Sequence, residues 1–129
     1  MALVVGYEVA NRAGTVLHAT AGDYHSSGAW NALGAAAAFS RLGGLDPSAT
    51  VHALGTAEYH APRAPMMRCI DHPSMVKDSS GWGAQVGVSA ALLAADGFTG
   101  APAAVLRPSA EHARYGRTSA PVGRFSSGT

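Results

Sequence analysis

Apolar residues recur every three to four positions over residues 3–21, the spacing of one helical face: Leu3, Tyr7, Ala10, Gly14 and Leu17 or His18. Val4, Val5 and Val9 are β-branched and pull toward a strand, but they do not alternate. No capping residue precedes this segment. A second helical stretch covers residues 28–42, with Trp30, Leu33, Ala37 and Ser40 or Arg41 on one face and Ser26 or Ser27 as its cap. Gly34 and the run 35–38 of alanine leave so little bulk that another helix can approach closely, and Gly43-Gly44 ends the element. Asp46-Pro47 starts a third helix, with Asp as cap and Pro in the first turn, carrying Val51, Leu54 and Glu58 on one face beside Ala53 and Ala57.

Residues 60–78 contain Pro62, Pro65 and Pro73 and show no helical period, so they read as a long loop, a type of segment that often carries function. Ser79-Ser80 then caps a last helix over residues 81–96, with Val88, Ala91, Leu92 and Ala95 as its apolar stripe and Gly97 as its stop. There is no repeat and no strand–helix alternation. The expected fold class is all-α, about four helices with a long loop before the last.

Composition sharpens this in one respect. Alanine (27) and glycine (16) make up a third of the 129 residues, without the fixed glycine period of collagen. No run of eighteen apolar residues occurs, so no membrane span is expected. The start of the chain has no basic leader, and the one cysteine, Cys69, gives no disulfide framework; both point to the cytoplasm. The net charge of +1 makes no case for nucleic acid or an anionic membrane as partner.

Charge is unevenly spread. Residues 1–106 carry four Arg and one Lys against seven acids, a net of −2; residues 107–129 carry four Arg against Glu111, a net of +3. The second stretch is rich in turn formers and poor in aliphatic side chains, too poor to offset its ordering entropy. A boundary is therefore expected near Arg107, separating a helical domain (1–106) from a basic, disordered tail (107–129). The abrupt change also suggests that residues 116–129 are a frame-shifted reading of what was once a continuing sequence, since one shifted frame of GC-rich codons restores aromatic and amphipathic content.

Two residues stand out chemically. Lys77 is the chain's one lysine among eight arginines, a compact ammonium where the rest of the chain uses a planar fork. It also suits a solvated loop lysine paired with Asp78. His25 lies just before a helix start, where backbone N–H groups favour an anion and a histidine can bind a carboxylate or move a proton; it also suits an exposed turn. Cys69 and His72 have a metal-like gap, but no second such pair exists and His52 falls within a helix, so no metal is expected. No phosphate-binding glycine motif is present.

The ordered strings Gly6-Tyr7-Glu8-Val9-Ala10, Tyr24-His25, Gly34-Ala35-Ala36-Ala37-Ala38 and Ala53-Leu54-Gly55 resemble the MmgE/PrpD family, which includes 2-methylcitrate dehydratase and cis-aconitate decarboxylase. Met75-Val76-Lys77, residues 81–87, Ala90-Ala91-Leu92-Leu93-Ala94 and Gly97-Phe98-Thr99-Gly100 continue the match, which covers roughly residues 4–106. The resemblance implies part of a helical domain from a longer lyase. It implies action on small di- or tricarboxylates with no metal or organic cofactor, and a homodimer is compatible with the intact enzyme. It also implies His25 and Lys77 as catalytic residues. Asp78-Ser79-Ser80-Gly81 departs from the family, where histidine often follows the lysine, and this leaves the substrate open, including an epimerase branch. The resemblance further implies that the chain is inactive alone. A non-catalytic helical interaction module, with the basic tail as its contact, is the competing expectation.

Overall fold

The computed structural model describes residues 1–107 of the chain. Five helices follow in order: α1 (Ala2–Thr20), α2 (Gly28–Leu42), α3 (Pro47–His60), α4 (Met67–Ile70) and α5 (Ser80–Ala95). The described residues contain no strand beyond an isolated antiparallel bridge between His25 and Pro65. The fold is all-α. The basic stretch beyond Arg107, including residues 116–129, lies outside the described residues.

Helix α2 is the hub. It packs on α1, α3 and α5, and α3 also packs on α5. Its sequence explains this, because Gly28, Ala29, Ala32, Leu33, Gly34, Ala36, Ala37 and Ser40 are all buried, on more than one face. Close approach does the rest. A Cβ added at Gly34 would meet Ala10 Cβ and Gly6 O, both at 2.7 Å, so α1 and α2 touch nearly backbone to backbone. Gly87 does the same for α5, where an added Cβ would strike the backbone of Ala32 and Ala36. The core is correspondingly light. Among the described residues Leu33 is the one large apolar side chain that is fully buried, packed with Ala13, Ala103 and Val105. A buried methyl contributes only roughly 0.8 kcal/mol, so stability here must come from many small contacts at short range.

This packing moves the apolar faces from where periodicity puts them. On α1 the expected face is buried only in part: Leu3 and Tyr7 are exposed, Ala10 and Leu17 are half-buried, and Gly14 is buried beside Ala13. On α5 the buried stripe is Gly83, Gly87, Ala90, Ala91 and Ala94, while Leu92 is exposed. Val51 is likewise exposed on α3. The reason is steric: helices that approach through glycine and alanine must turn their large side chains outward.

Caps also differ. Asp46 caps α3 as expected, accepting from Ala49 N at 2.8 Å. Neither Ser26 nor Ser27 caps α2 with its side chain, and neither Ser79 nor Ser80 caps α5. The hydroxyls of Ser26, Ser27 and Ser80 join distant segments instead. Helix α2 stops at Gly43, followed by Gly44 at φ +64, a conformation glycine adopts without cost. After α5 the chain returns across α3, where the Glu58 carboxylate accepts from the backbone N–H of Ala104 (2.6 Å) and Val105 (2.7 Å) and seats Ala103 and Val105 in the core.

Candidate functional site

The segment between α3 and α5 is ordered by contacts with the start of α2. Ser26 N donates to Ala64 O and Met66 N donates to Tyr24 O, both at 2.9 Å, forming the His25–Pro65 bridge. The Ser26 hydroxyl accepts from Ala64 N and donates to Pro62 O. One helical turn, α4, then forms inside what the prolines suggest is continuous loop, because Pro73 lies after it and Pro65 just before it. The Cys69 thiol donates to Val76 O at 3.4 Å, closing the turn back onto the segment that carries Lys77.

The end of that segment is pinned by Asp78. Its carboxylate accepts from Ser27 N at 2.7 Å and from the Ser27 hydroxyl. Ser27 Oγ also meets Ser80 Oγ at 2.9 Å, and Asn31 Nδ2 donates to Ser80 Oγ at 3.1 Å. An acid from a distant loop thus stands at the first turn of α2, where unpaired N–H groups and the helix dipole favour negative charge. Ser79, between the pinned acid and α5, takes a left-handed conformation with φ +59, which costs a non-glycine residue about 1 kcal/mol. The bonds made by Asp78 hold it there.

These contacts shape an open surface cavity of about 460 Å³. Lys77 lines it, together with Arg68, His72, Cys69 and the hydroxyl-bearing Ser26 and Ser74. No Asp or Glu lines it. The ion pairs among the described residues are Arg12–Glu8, His25–Asp23 and Arg63–Asp23, so neither Lys77 nor Arg68 is neutralised by one. The expected alternative pairing of Lys77 with Asp78 does not form, since Ser27 occupies that carboxylate. The cavity is therefore an acid-free concavity with two cations, one histidine and the Ser74 and Ser79 hydroxyls, set on a largely apolar floor that includes Pro65, Met66 and Val76. That suits a small polyanion.

His25 is placed differently. It is 3% exposed, so it is not the exposed turn residue its neighbours in sequence suggest. Its ring packs edge-on against Trp30 at 5.7 Å and stacks with His18 at 6.2 Å. Nδ1 lies 3.0 Å from Asp23 O. A carbonyl can only accept, so in the neutral ring Nδ1 carries the hydrogen and Nε2 keeps the lone pair. Nε2 is buried and has no hydrogen-bond partner among the described residues. His25 is not among the residues lining the cavity; its neighbour Ser26 is. The structure thus joins His25 and Lys77 to one small region through the 24–26 and 64–66 pairing, without side-chain contact between them.

Asp23, beside His25, has its carboxyl held below the usual carboxylate range. The hydrogen bond from Arg63 is the main cause, opposed by some burial and reinforced by the charges of Arg63 and His25. His52, on α3, places its ring against the Gly100 backbone. Cys69 and His72 share the cavity, but no group of three potential metal ligands is gathered among the described residues. No helix among these residues is long and apolar enough to cross a membrane. Arg68 was not marked by any sequence pattern. The available signal was an arginine flanked by prolines in a loop rich in donors.

Comparison with known proteins gives two matches. The family description of the MmgE/PrpD N-terminal domain matches residues 1–115. A cis-aconitate decarboxylase-like protein, oryM, of Aspergillus oryzae is 35% identical over 104 residues, which is 78% of this chain and 21% of that protein. The chain thus spans about a fifth of the length of that relative. No solved structure matches.

Proposed function

The chain belongs to the MmgE/PrpD family, and from that premise we propose that it supplies the N-terminal helical part of a lyase for small di- or tricarboxylates, working without a metal or organic cofactor. The observation that carries this reading is Lys77 on an acid-free cavity with no ion-pair partner among the described residues. A carboxylate there gains a charge-assisted hydrogen bond and displaces no internal salt bridge. Lys77 holds a substrate carboxylate and offsets charge that builds on it when the adjacent carbon loses a proton or carbon dioxide. His25 does not line the cavity, and its candidate role as general base comes from the family resemblance; its buried Nε2, without a hydrogen-bond partner among the described residues, is the ring nitrogen that would have to meet substrate in the intact enzyme. The relative's name makes cis-aconitate the first substrate to test, with 2-methylcitrate beside it.

Positioning supplies much of the rate in such reactions, and the relative carries most of its length outside the match. The 129-residue chain is therefore expected to bind the acids weakly and not to turn them over. Titrating cis-aconitate into the isotope-labelled chain should shift the amide signals of residues 66–79, and Lys77→Ala should remove the shifts. Turnover by this chain alone, or no binding at millimolar acid, would overturn the reading.

A further inference from the structure

Arg68 is the second fixed cation of the cavity, and neither the family match nor the sequence pattern gives it a role. It sits on α4, a single helical turn, and lines the same cavity as Lys77. The two segments are tied together by the Cys69 thiol, which donates to Val76 O, one residue before Lys77. The turn itself is closed by Cys69 N to Met66 O (3.0 Å) and Asp71 N to Met67 O (2.8 Å), so Arg68 projects from a hydrogen-bonded turn with its base fixed. Asp71, three residues on, forms no ion pair with it, and Asp78 is held by Ser27. Two cations thus lie on two linked segments and line one volume that no Asp or Glu lines.

We infer that Arg68 is a specificity-determining residue: it binds a second carboxylate of the same ligand, so that the cavity selects acids bearing two separated carboxylates over monocarboxylates. This rests on the carboxylate-binding reading of the cavity proposed above. The chemistry divides between the two cations. An ammonium is a point donor that tolerates a carboxylate whose geometry changes during reaction. A guanidinium is a rigid fork that grips a carboxylate through two parallel N–H···O bonds and fixes its plane. Arg68 therefore anchors the end of the ligand that does not react, and Lys77 serves the end that does. A ligand with one carboxylate can satisfy only one of them and leaves the other cation solvated.

The test uses the full 129-residue chain and two probes, cis-aconitate and crotonate, titrated by NMR at low salt. Wild type should bind cis-aconitate at least about 10-fold more tightly than crotonate, the factor expected from one additional charge-assisted contact. Arg68→Gln should bring the two affinities to within roughly 2-fold of each other by weakening cis-aconitate, with crotonate unchanged. Arg68→Lys keeps the charge without the fork and should restore part of the preference. Lys77→Gln should weaken both acids. If wild type binds neither acid, the carboxylate reading of the cavity falls and this inference with it. If wild type binds cis-aconitate and Arg68→Gln or Arg68→Lys leaves its preference intact, the inference alone is wrong. Circular dichroism of each variant confirms that the helices persist, as expected for an exposed arginine on a four-residue turn.

Discussion

At the scale of single residues, the pair Lys77 and Asp78 divides function from positioning. Lys77 is exposed and makes no ion pair among the described residues, so Lys77→Ala should leave the melting temperature nearly unchanged while removing carboxylate binding. In a full-length enzyme carrying this domain, the same change should lower turnover far more than stability. Equal losses in both would make Lys77 an ordinary surface residue. Asp78 touches Ser27 rather than the cavity. Asp78→Ala leaves Ser27 donors unpaired and releases the backbone next to Lys77, so it should cost about 1–3 kcal/mol in a denaturant titration. It should weaken cis-aconitate binding as well, without removing any contact to the acid. Asp23 gives a pH prediction. Its folded carboxyl is lowered by Arg63, so its contribution is complete above the ordinary carboxylate value of about 3.9 and is lost as pH falls through the lower folded value. Both side chains are about half exposed, which keeps the effect under about 1 kcal/mol. Arg63→Ala should therefore reduce stability slightly at neutral pH, and the deficit should vanish in strong acid. A deficit that persists there would mean that Arg63 acts through packing.

At the scale of elements, the helices are held by proximity more than by side-chain volume. Two glycines of α5 separate these contributions. A methyl at Gly87 would meet the backbone of Ala32 and Ala36 and the Ala35 side chain, none of which can yield without moving α2. Gly87→Ala should cost about 1–3 kcal/mol from overpacking, outweighing the helix-propensity gain of roughly 1 kcal/mol. A methyl at Gly81 meets nothing within 4 Å, so Gly81→Ala should stabilise the same helix by up to about 1 kcal/mol. Thermal melts of the two variants in parallel would decide it, and equal shifts would show that α5 is not seated on α2 as described. The same close contact positions the candidate site. The α2 start presents Ser26 and Ser27, and those two hydroxyls draw in the 62–66 segment and Asp78.

At the scale of the molecule, small-residue packing leaves large apolar side chains outside. Met75 is 97% exposed, Trp82 67%, and Leu3, Tyr7, Leu42 and Tyr59 are also exposed. Where such side chains adjoin, exposed apolar surface promotes association. The chain should sediment with a concentration-dependent size and bind a hydrophobic dye, and the double variant Leu3→Glu/Tyr7→Glu should shift the distribution toward smaller species. A monodisperse monomer with no dye binding would show that these side chains are too scattered to act as a surface.

The sequence by itself determined the number and place of the long helices, because glycine and proline punctuate them and a 3.6-residue period fills them. It determined the Asp46 cap, the stop at Gly43-Gly44, and the closeness of the contact at Gly34, since each depends on local backbone geometry or on the absence of a side chain. It also carried the family resemblance, through short strings kept in order. It placed Gly14 and Ala91 inward, but it could not say that Leu3, Tyr7 and Leu92 on the same expected faces would stay outside. When a core is built from alanine and glycine, the deciding quantity is how near two backbones come, and no single helix encodes that distance. Nor could it say where the serine hydroxyls go. Ser26 and Ser27 look like caps in one dimension, but in three dimensions better partners lie 36 and 51 residues away at Pro62 and Asp78. No sequence pattern marks Arg68 for the same reason: its meaning comes from sharing a cavity with Lys77, and only the folding of α4 against the segment before α5 brings an ordinary arginine and the chain's one lysine around one space.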